Sequence, residues 1–145
     1  MKLTRYSDYS LRVLMCLAVH PDRRVTIDEI STVYGISKAH LMKIAHELGQ
    51  AGYLETVRGR GGGLRLAQPP DAIGIGDVVR FTEGKMDLVE CFDPESSACR
   101  IESVCLLHGV LQDALDAFLA TLDEYTLADL VARRRKSLAD LLSPE

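Results

Sequence analysis

No stretch of about twenty consecutive apolar residues occurs in this 145-residue sequence, and a helix that crosses a bilayer needs one. The leading Met1-Lys2-Leu3-Thr4-Arg5-Tyr6-Ser7-Asp8 runs straight into an amphipathic pattern holding Asp8 and Arg12, without a signal peptide's apolar core. The expectation is a cytoplasmic protein with no membrane partner. Internal repeats and low-complexity segments are absent too. No Ser-His-Asp arrangement can be assembled and the four histidines are scattered, so an enzyme is not expected. A basic excess is missing: 17 Lys and Arg stand against 21 Asp and Glu, a net charge of −4. Cysteine is scarce, with only Cys16, Cys91, Cys99 and Cys105. None of these forms the tight pair, with two to four residues between, that structural zinc usually takes.

What is present is unevenly placed. Residues 1–80 carry eleven Lys and Arg against eight Asp and Glu, whereas residues 81–145 carry six against thirteen. A basic half can face phosphate while an acidic half faces away. Tyr9, Val13, Cys16 and Leu17 recur at three- and four-residue steps, which predicts a helix over about residues 7–19. Thr26 with Glu29 reads as a capping box for a second helix that stops at Gly35. Ser37 caps a third, with Leu41, Ile44, Ala45 and Leu48 on its inner face. Helix, short glycine turn, helix is the helix-turn-helix arrangement.

After residue 52 two strand-like segments flank Arg58-Gly59-Arg60-Gly61-Gly62-Gly63, which predicts a β-hairpin. A short helix over about residues 76–82 follows. A long one begins near Cys105, with Leu107, Leu111, Ala114, Phe118 and Leu122 on one stripe. A chain this short has little else to cover that stripe, so it is expected to pair with its copy in a homodimer. Thr126 caps a final helical segment. The expected fold class is mainly α with a small β-hairpin: a winged helix-turn-helix domain plus a long dimerisation helix. Residues 1–82 are assigned to the DNA-binding domain, 83–104 to a ligand-binding loop, 105–132 to the dimerisation helix and capping segment, and 133–145 to a mobile tail.

A recognition helix reads the major groove of double-stranded DNA with its first residues. Here these are Ser37, Lys38, Ala39 and His40, with Lys43 one turn on. Ser37 and the helix start suit a phosphate, the lysines a phosphate or guanine, and His40 a base edge. An ordinary polar helix face shows the same residues, so the hairpin matters more. Its four glycines allow close backbone approach, and Arg58 and Arg60 suit a narrow minor groove. A nucleotide-phosphate loop ends in Lys-Ser/Thr and enters a helix; neither occurs here.

Cys16 lies among apolar neighbours and reads as a core residue. Cys91, Cys99 and Cys105 fall within fifteen residues, separated by seven and then five others. Soft thiolates at this spacing favour an iron–sulfur cluster and leave zinc or a thiol switch open. Three thiols leave one coordination position to another residue type. His108, one helical turn after Cys105, is a candidate. Asp8 is another, although a carboxylate in a first helical turn also complements the helix dipole. An iron–sulfur electron carrier would explain the cysteines but not the Arg-Gly hairpin.

These residues together resemble the NsrR/IscR family of iron–sulfur transcription regulators over nearly the whole chain. The resemblance is carried by Leu3-Thr4, Asp8-Tyr9, Leu11-Arg12, Tyr34-Gly35-Ile36-Ser37, His40-Leu41, the hairpin, Ile75-Gly76-Asp77-Val78-Val79 and the three cysteines. Leu122-Asp123-Glu124-Tyr125 with Thr126-Leu127-Ala128-Asp129 is most similar to the nitric-oxide-sensing branch. The resemblance implies a homodimeric repressor on a palindromic operator, with nitric oxide as signal. It implies a 4Fe–4S cluster on Cys91, Cys99 and Cys105, with Asp8 of the partner subunit as fourth ligand. The other branch implies a 2Fe–2S cluster with His108 in that place, and a regulator of iron–sulfur or redox status. The seven residues between Cys91 and Cys99 exceed the family's usual gap.

Overall fold

The computed structural model describes residues 1–144. Helix α1 (Arg5–Val19) opens two residues before the expected start, because Thr4 is its cap and accepts the Ser7 amide at 3.2 Å. Ser7 is buried, with its hydroxyl 2.6 Å from that of Thr82. Helix α2 (Ile27–Tyr34) carries the complete Thr26–Glu29 capping box and ends at Gly35, whose φ of 65° only glycine adopts freely. Helix α3 (Lys38–Gln50) starts at Ser37, which accepts the His40 amide at 3.4 Å. Its buried residues are Leu41, Ile44, Ala45 and Leu48, the face that periodicity selects.

Strands β1 (Leu54–Val57) and β2 (Gly63–Leu66) pair antiparallel, from Leu54 opposite Leu66 to Val57 opposite Gly63. The hairpin does not stand alone. Val25 and Leu64 exchange backbone hydrogen bonds of 2.9 and 2.8 Å, which fix the hairpin to the α1–α2 connection. Helix α4 (Ile75–Glu83) is followed by a connection with two short 3-10 turns, Glu90–Phe92 and Glu102–Val104. Then come α5 (Leu106–Asp123), α6 (Leu127–Ala132) and α7 (Arg135–Leu141). This is a mainly helical chain with a two-stranded wing.

One core runs through the molecule, and α1 is its centre. Leu14, Ile30, Leu41, Leu48, Leu64 and Leu127 are all essentially inaccessible to solvent. Residues 127–142 therefore belong to the same core as the reading head: α6 and α7 both pack on α1. The tail expected to be mobile from residue 133 forms α7. Leu138, Ala139 and Leu142 give it an apolar stripe that closes on the core, and Leu142 is only 8% exposed. Its end is fixed by the Ser143 hydroxyl, 3.2 Å from His20 Nε2. A short stripe after four consecutive basic residues is hard to distinguish from a solvated tail until α1 is in place to receive it.

Helix α5 is different. It packs chiefly on α4, and of its residues only Leu115 is buried. The bond between them is specific: Arg80 donates to both carboxylate oxygens of Asp123 at 2.6 and 2.7 Å. Gly76 lies under this pair, where a Cβ would overlap the Asp123 carboxylate. Among the described residues no helix is long and apolar enough to cross a membrane.

Candidate nucleic-acid interface and thiol site

Lys38, Ala39 and His40 form the first turn of α3 and are exposed, as are Met42, Lys43 and His46 further along. The lysines already have partners. Lys38 Nζ is 2.9 Å from Asp28, and Lys43 Nζ is 3.8 Å from Glu47. Such exposed pairs contribute little stability, so either lysine can exchange its carboxylate for a phosphate at small cost. His40 stacks obliquely near Tyr9, ring centres 6.4 Å apart, and the two share a groove with Arg5 and Lys43. Of the sequence-predicted reading residues, His40 and Lys43 therefore share one groove with Arg5 from the start of α1, while Lys38 and Ala39 are exposed on the same first turn of α3.

The wing stands beside this face. Gly59 and Gly61 have φ values of 90° and 73°, and a Cβ on Gly62 would overlap the carbonyl oxygens of Val57 and Gly59. The Gly62 amide donates back to the Gly59 carbonyl at 2.9 Å, closing a tight tip. Arg58 and Arg60 project from it exposed and form no ion pair among the described residues. Arg24 supports the tip from behind, donating to the Gly61 carbonyl at 3.2 Å. Arg24 is far from the hairpin in sequence, and only the Val25–Leu64 bridge brings it there. Met42 and His46 carry a local signal: they continue the four-residue step from Lys38 on the outward stripe.

Cys91, Cys99, Cys105 and His108 line one cavity of about 310 Å³ at the start of α5. Its other walls include Val89, Ile101, Leu107 and Leu111, an apolar shell. His108 Nδ1 lies 3.4 Å from Cys91 Sγ, and its ring stacks obliquely on Phe92 at 5.1 Å. Burial, and then the nearby Cys99, Glu102 and Cys105, push the Cys91 thiol above its ordinary range. No cation offsets them. Reactive cysteines have the opposite surroundings, so the Cys91 thiol is held toward its neutral form. Among the described residues no three His, Cys, Asp or Glu side chains gather tightly enough to hold a single metal ion. The thiols instead surround a space.

Asp8 is not among the residues lining that cavity. It sits in the first turn of α1 and accepts two hydrogen bonds from Arg12, at 2.8 and 2.9 Å. Arg12 also lies over the rings of Tyr9 and Tyr34, 5.8 Å from each centre.

The loop that bears the cysteines is tied to α1 at its root. Glu83, the last residue of α4, accepts hydrogen bonds from the Thr4 amide (2.7 Å), the Thr4 hydroxyl (3.0 Å) and the Ser7 hydroxyl. Sequence reading passes over this latch, because Thr4 and Glu83 look like unrelated helix ends. Burial pushes the Glu83 carboxyl up, but these donors outweigh it and hold it below the ordinary value of 4.5. A carboxylate depressed in the folded state stabilises fully above its unfolded pKa and loses that contribution as pH falls through the folded value. Glu83→Gln is therefore expected to melt roughly 3 °C lower than the parent near neutral pH. The gap closes below pH 4.5, and thermal melts across pH 3–7 measure it. The other depressed carboxylates are common to both proteins and cancel in the difference.

Three comparisons bear on this arrangement. Residues 3–133 match the Rrf2 family, described as iron-dependent transcriptional regulators. The HTH-type transcriptional regulator NsrR of Bacillus subtilis is 55% identical over 135 residues, covering 92% of each chain. The regulator of the same name from Geobacillus kaustophilus is 50% identical over 143 residues, covering 98% of this chain and 97% of its own. Among solved structures, T. potens IscR superposes with a TM-score of 0.74 at 25% identity, covering 92% of this chain and 88% of its own. CymR, the global cysteine regulator of B. subtilis, gives 0.71 at 27% identity, covering 92% and 98%. With the wing, the reading helix and the match over most of its length, this chain belongs to the Rrf2 family of transcriptional regulators, which are not enzymes.

Proposed function

We propose that the chain is a homodimeric repressor that binds a palindromic operator in duplex DNA and senses nitric oxide through a 4Fe–4S cluster. The observation that carries this reading is the convergence of Cys91, Cys99 and Cys105 on one apolar-walled cavity. Three soft donors around a space suit a polynuclear iron–sulfur centre. Asp8 of the partner subunit is the proposed fourth ligand. When bound, the cluster supplies iron that a hard carboxylate leaves more open to nitric oxide than a fourth thiolate would. The nitric-oxide reading rests on the sequence resemblance and on the name shared by the curated relatives.

The chain's own residues supply the linkage. Glu83 binds the loop's root to the start of α1, next to Asp8, and Cys105 begins α5. Arg80 and Asp123 fasten α4 to α5. A loop held at one length therefore sets α4 against both α1 and α5. Since α1 packs on α3, it also sets how two reading helices are spaced, and duplex DNA demands about 34 Å between them. The homodimer is supported by the outer face of α5, where Leu106 is 87% exposed and Leu107 and Val110 about 60%. An apolar helix face this bare is a typical subunit contact.

A second reading, a 2Fe–2S cluster with His108 as fourth ligand, is favoured by one observation: His108 lines the cavity within its own chain, and Asp8 does not. Anaerobic absorbance with native mass of the dimer separates the two, through four or two irons per subunit with matching sulfide. Protein lacking iron and sulfide after reconstitution would reject both.

A further inference from the structure

We infer that Met42 reads the 5-methyl group of a thymine in the major groove and is a specificity-determining residue of the α3 face. The inference rests on the DNA-binding reading above and adds a base preference to it. Of the residues that α3 turns outward, Lys38, His40, Lys43 and His46 carry polar tips, and Ala39 ends at its Cβ. Met42 alone is both long and apolar, and it is 58% exposed. It belongs to an open groove of about 490 Å³ between α3 and the wing, with buried Ala45 and Leu64 below and exposed His46 and Arg58 beside it. A lone surface methionine needs no explanation elsewhere. Here it stands beside the exposed Arg58 of the wing, on the helix face proposed to meet phosphates and base edges.

That pairing of features selects the occupant. The exposed Arg58 beside the groove, with Arg60 on the same wing, calls for a polyanion, and an apolar knob next to it calls for an apolar group set between phosphates. The major groove of duplex DNA offers one such group, the thymine methyl, and methionine's flexible thioether chain adapts readily to a small apolar target. Lys38 lies one turn before Met42 and His46 one turn after it. A helix seated by its polar residues therefore brings Met42 against base edges instead of solvent.

The test uses the full chain, purified anaerobically, and a duplex enriched by it from a random-sequence pool. Each thymine of that duplex is then replaced singly by deoxyuracil, which removes only the 5-methyl group. One replacement per half-site is expected to weaken binding about four-fold, the effect of losing one buried methyl at ~0.8 kcal/mol. Met42→Ala should bind the parent duplex more weakly and show no further loss at that thymine, whereas Met42→Leu should keep the discrimination. Wild-type protein indifferent to every replacement, or Met42→Ala as sensitive as wild type at the same thymine, would overturn the inference while DNA binding stands. Failure to enrich any duplex would remove the DNA-binding reading itself, and this one with it.

Discussion

Replacing Cys91, Cys99 or Cys105 by alanine is expected to lower operator affinity by about 50–100-fold, near the upper end of typical coupling between two sites. The fold should survive. Cys99 is exposed and the other two are half-buried, and none belongs to the core around α1. In the proposed reading the substitution removes a soft ligand, and with it the fixed length of the loop between Glu83 and α5. A ligand shifts a conformational equilibrium only by its differential affinity for the two states. Here the differential is proposed to be whether three thiols in one loop reach a common centre. Cys16→Ala is the control. That thiol is fully buried on α1's apolar face, where burial pushes its pKa up to about 11, and it lies outside the cavity that the other three line. Its loss should cost stability, roughly 1 kcal/mol, and leave iron and sulfide content unchanged. Anaerobic fluorescence anisotropy on operator duplex gives the affinities, and circular dichroism confirms the fold. Cysteine variants that bind operator as tightly as the parent and still respond to nitric oxide would reject the proposed linkage.

The parts of the molecule legible in sequence are those fixed by short-range chemistry. Thr26 and Glu29 satisfy each other's backbone across three residues, and Leu41, Ile44, Ala45 and Leu48 repeat at helical spacing. The wing's glycines are legible for the same reason: Gly62 has no room for a side chain because of carbonyls only a few residues away. What escapes is set by partners distant in the chain. Helix α1 starts after Thr4 and not near Ser7, whose hydroxyl is bonded to Thr82 and Glu83, some 75 residues on. Helix α7 becomes a helix through α1, which receives its stripe. The same holds for the site. Cys105 and His108 share a helical turn and read together easily, whereas Asp8 lies outside the cavity, paired with Arg12, and joins it only in the proposed dimer. Arg24 joins the wing only through the Val25–Leu64 bridge.

The wing gives the second large effect. Arg58→Ala with Arg60→Ala is expected to weaken operator binding by about 10–30-fold at moderate salt. Every phosphate left without its cation lowers the slope of log K against log salt by about 0.9, so the double variant should be shallower by nearly 2 if both arginines meet phosphate. Insertion into a narrow minor groove predicts a different signature. The affinity loss would then depend on sequence beneath the tip, large over A·T tracts and small over G·C, with the slope less altered. The structure favours such insertion. Gly59 and Gly61 hold left-handed conformations and Gly62 admits no side chain, so the tip is narrow, and both arginines project from it with no carboxylate partner among the described residues. Arg24 and the Val25–Leu64 bridge fix the hairpin to the core, so the arginines are delivered by a rigid element and lose little freedom on binding. Titrations of parent and double variant between about 50 and 200 mM salt, on duplexes with A·T or G·C under the wing, separate the two modes. A double variant that matches the parent in affinity, slope and base preference would show that the tip does not touch DNA, and α3 would then have to supply all of the recognition.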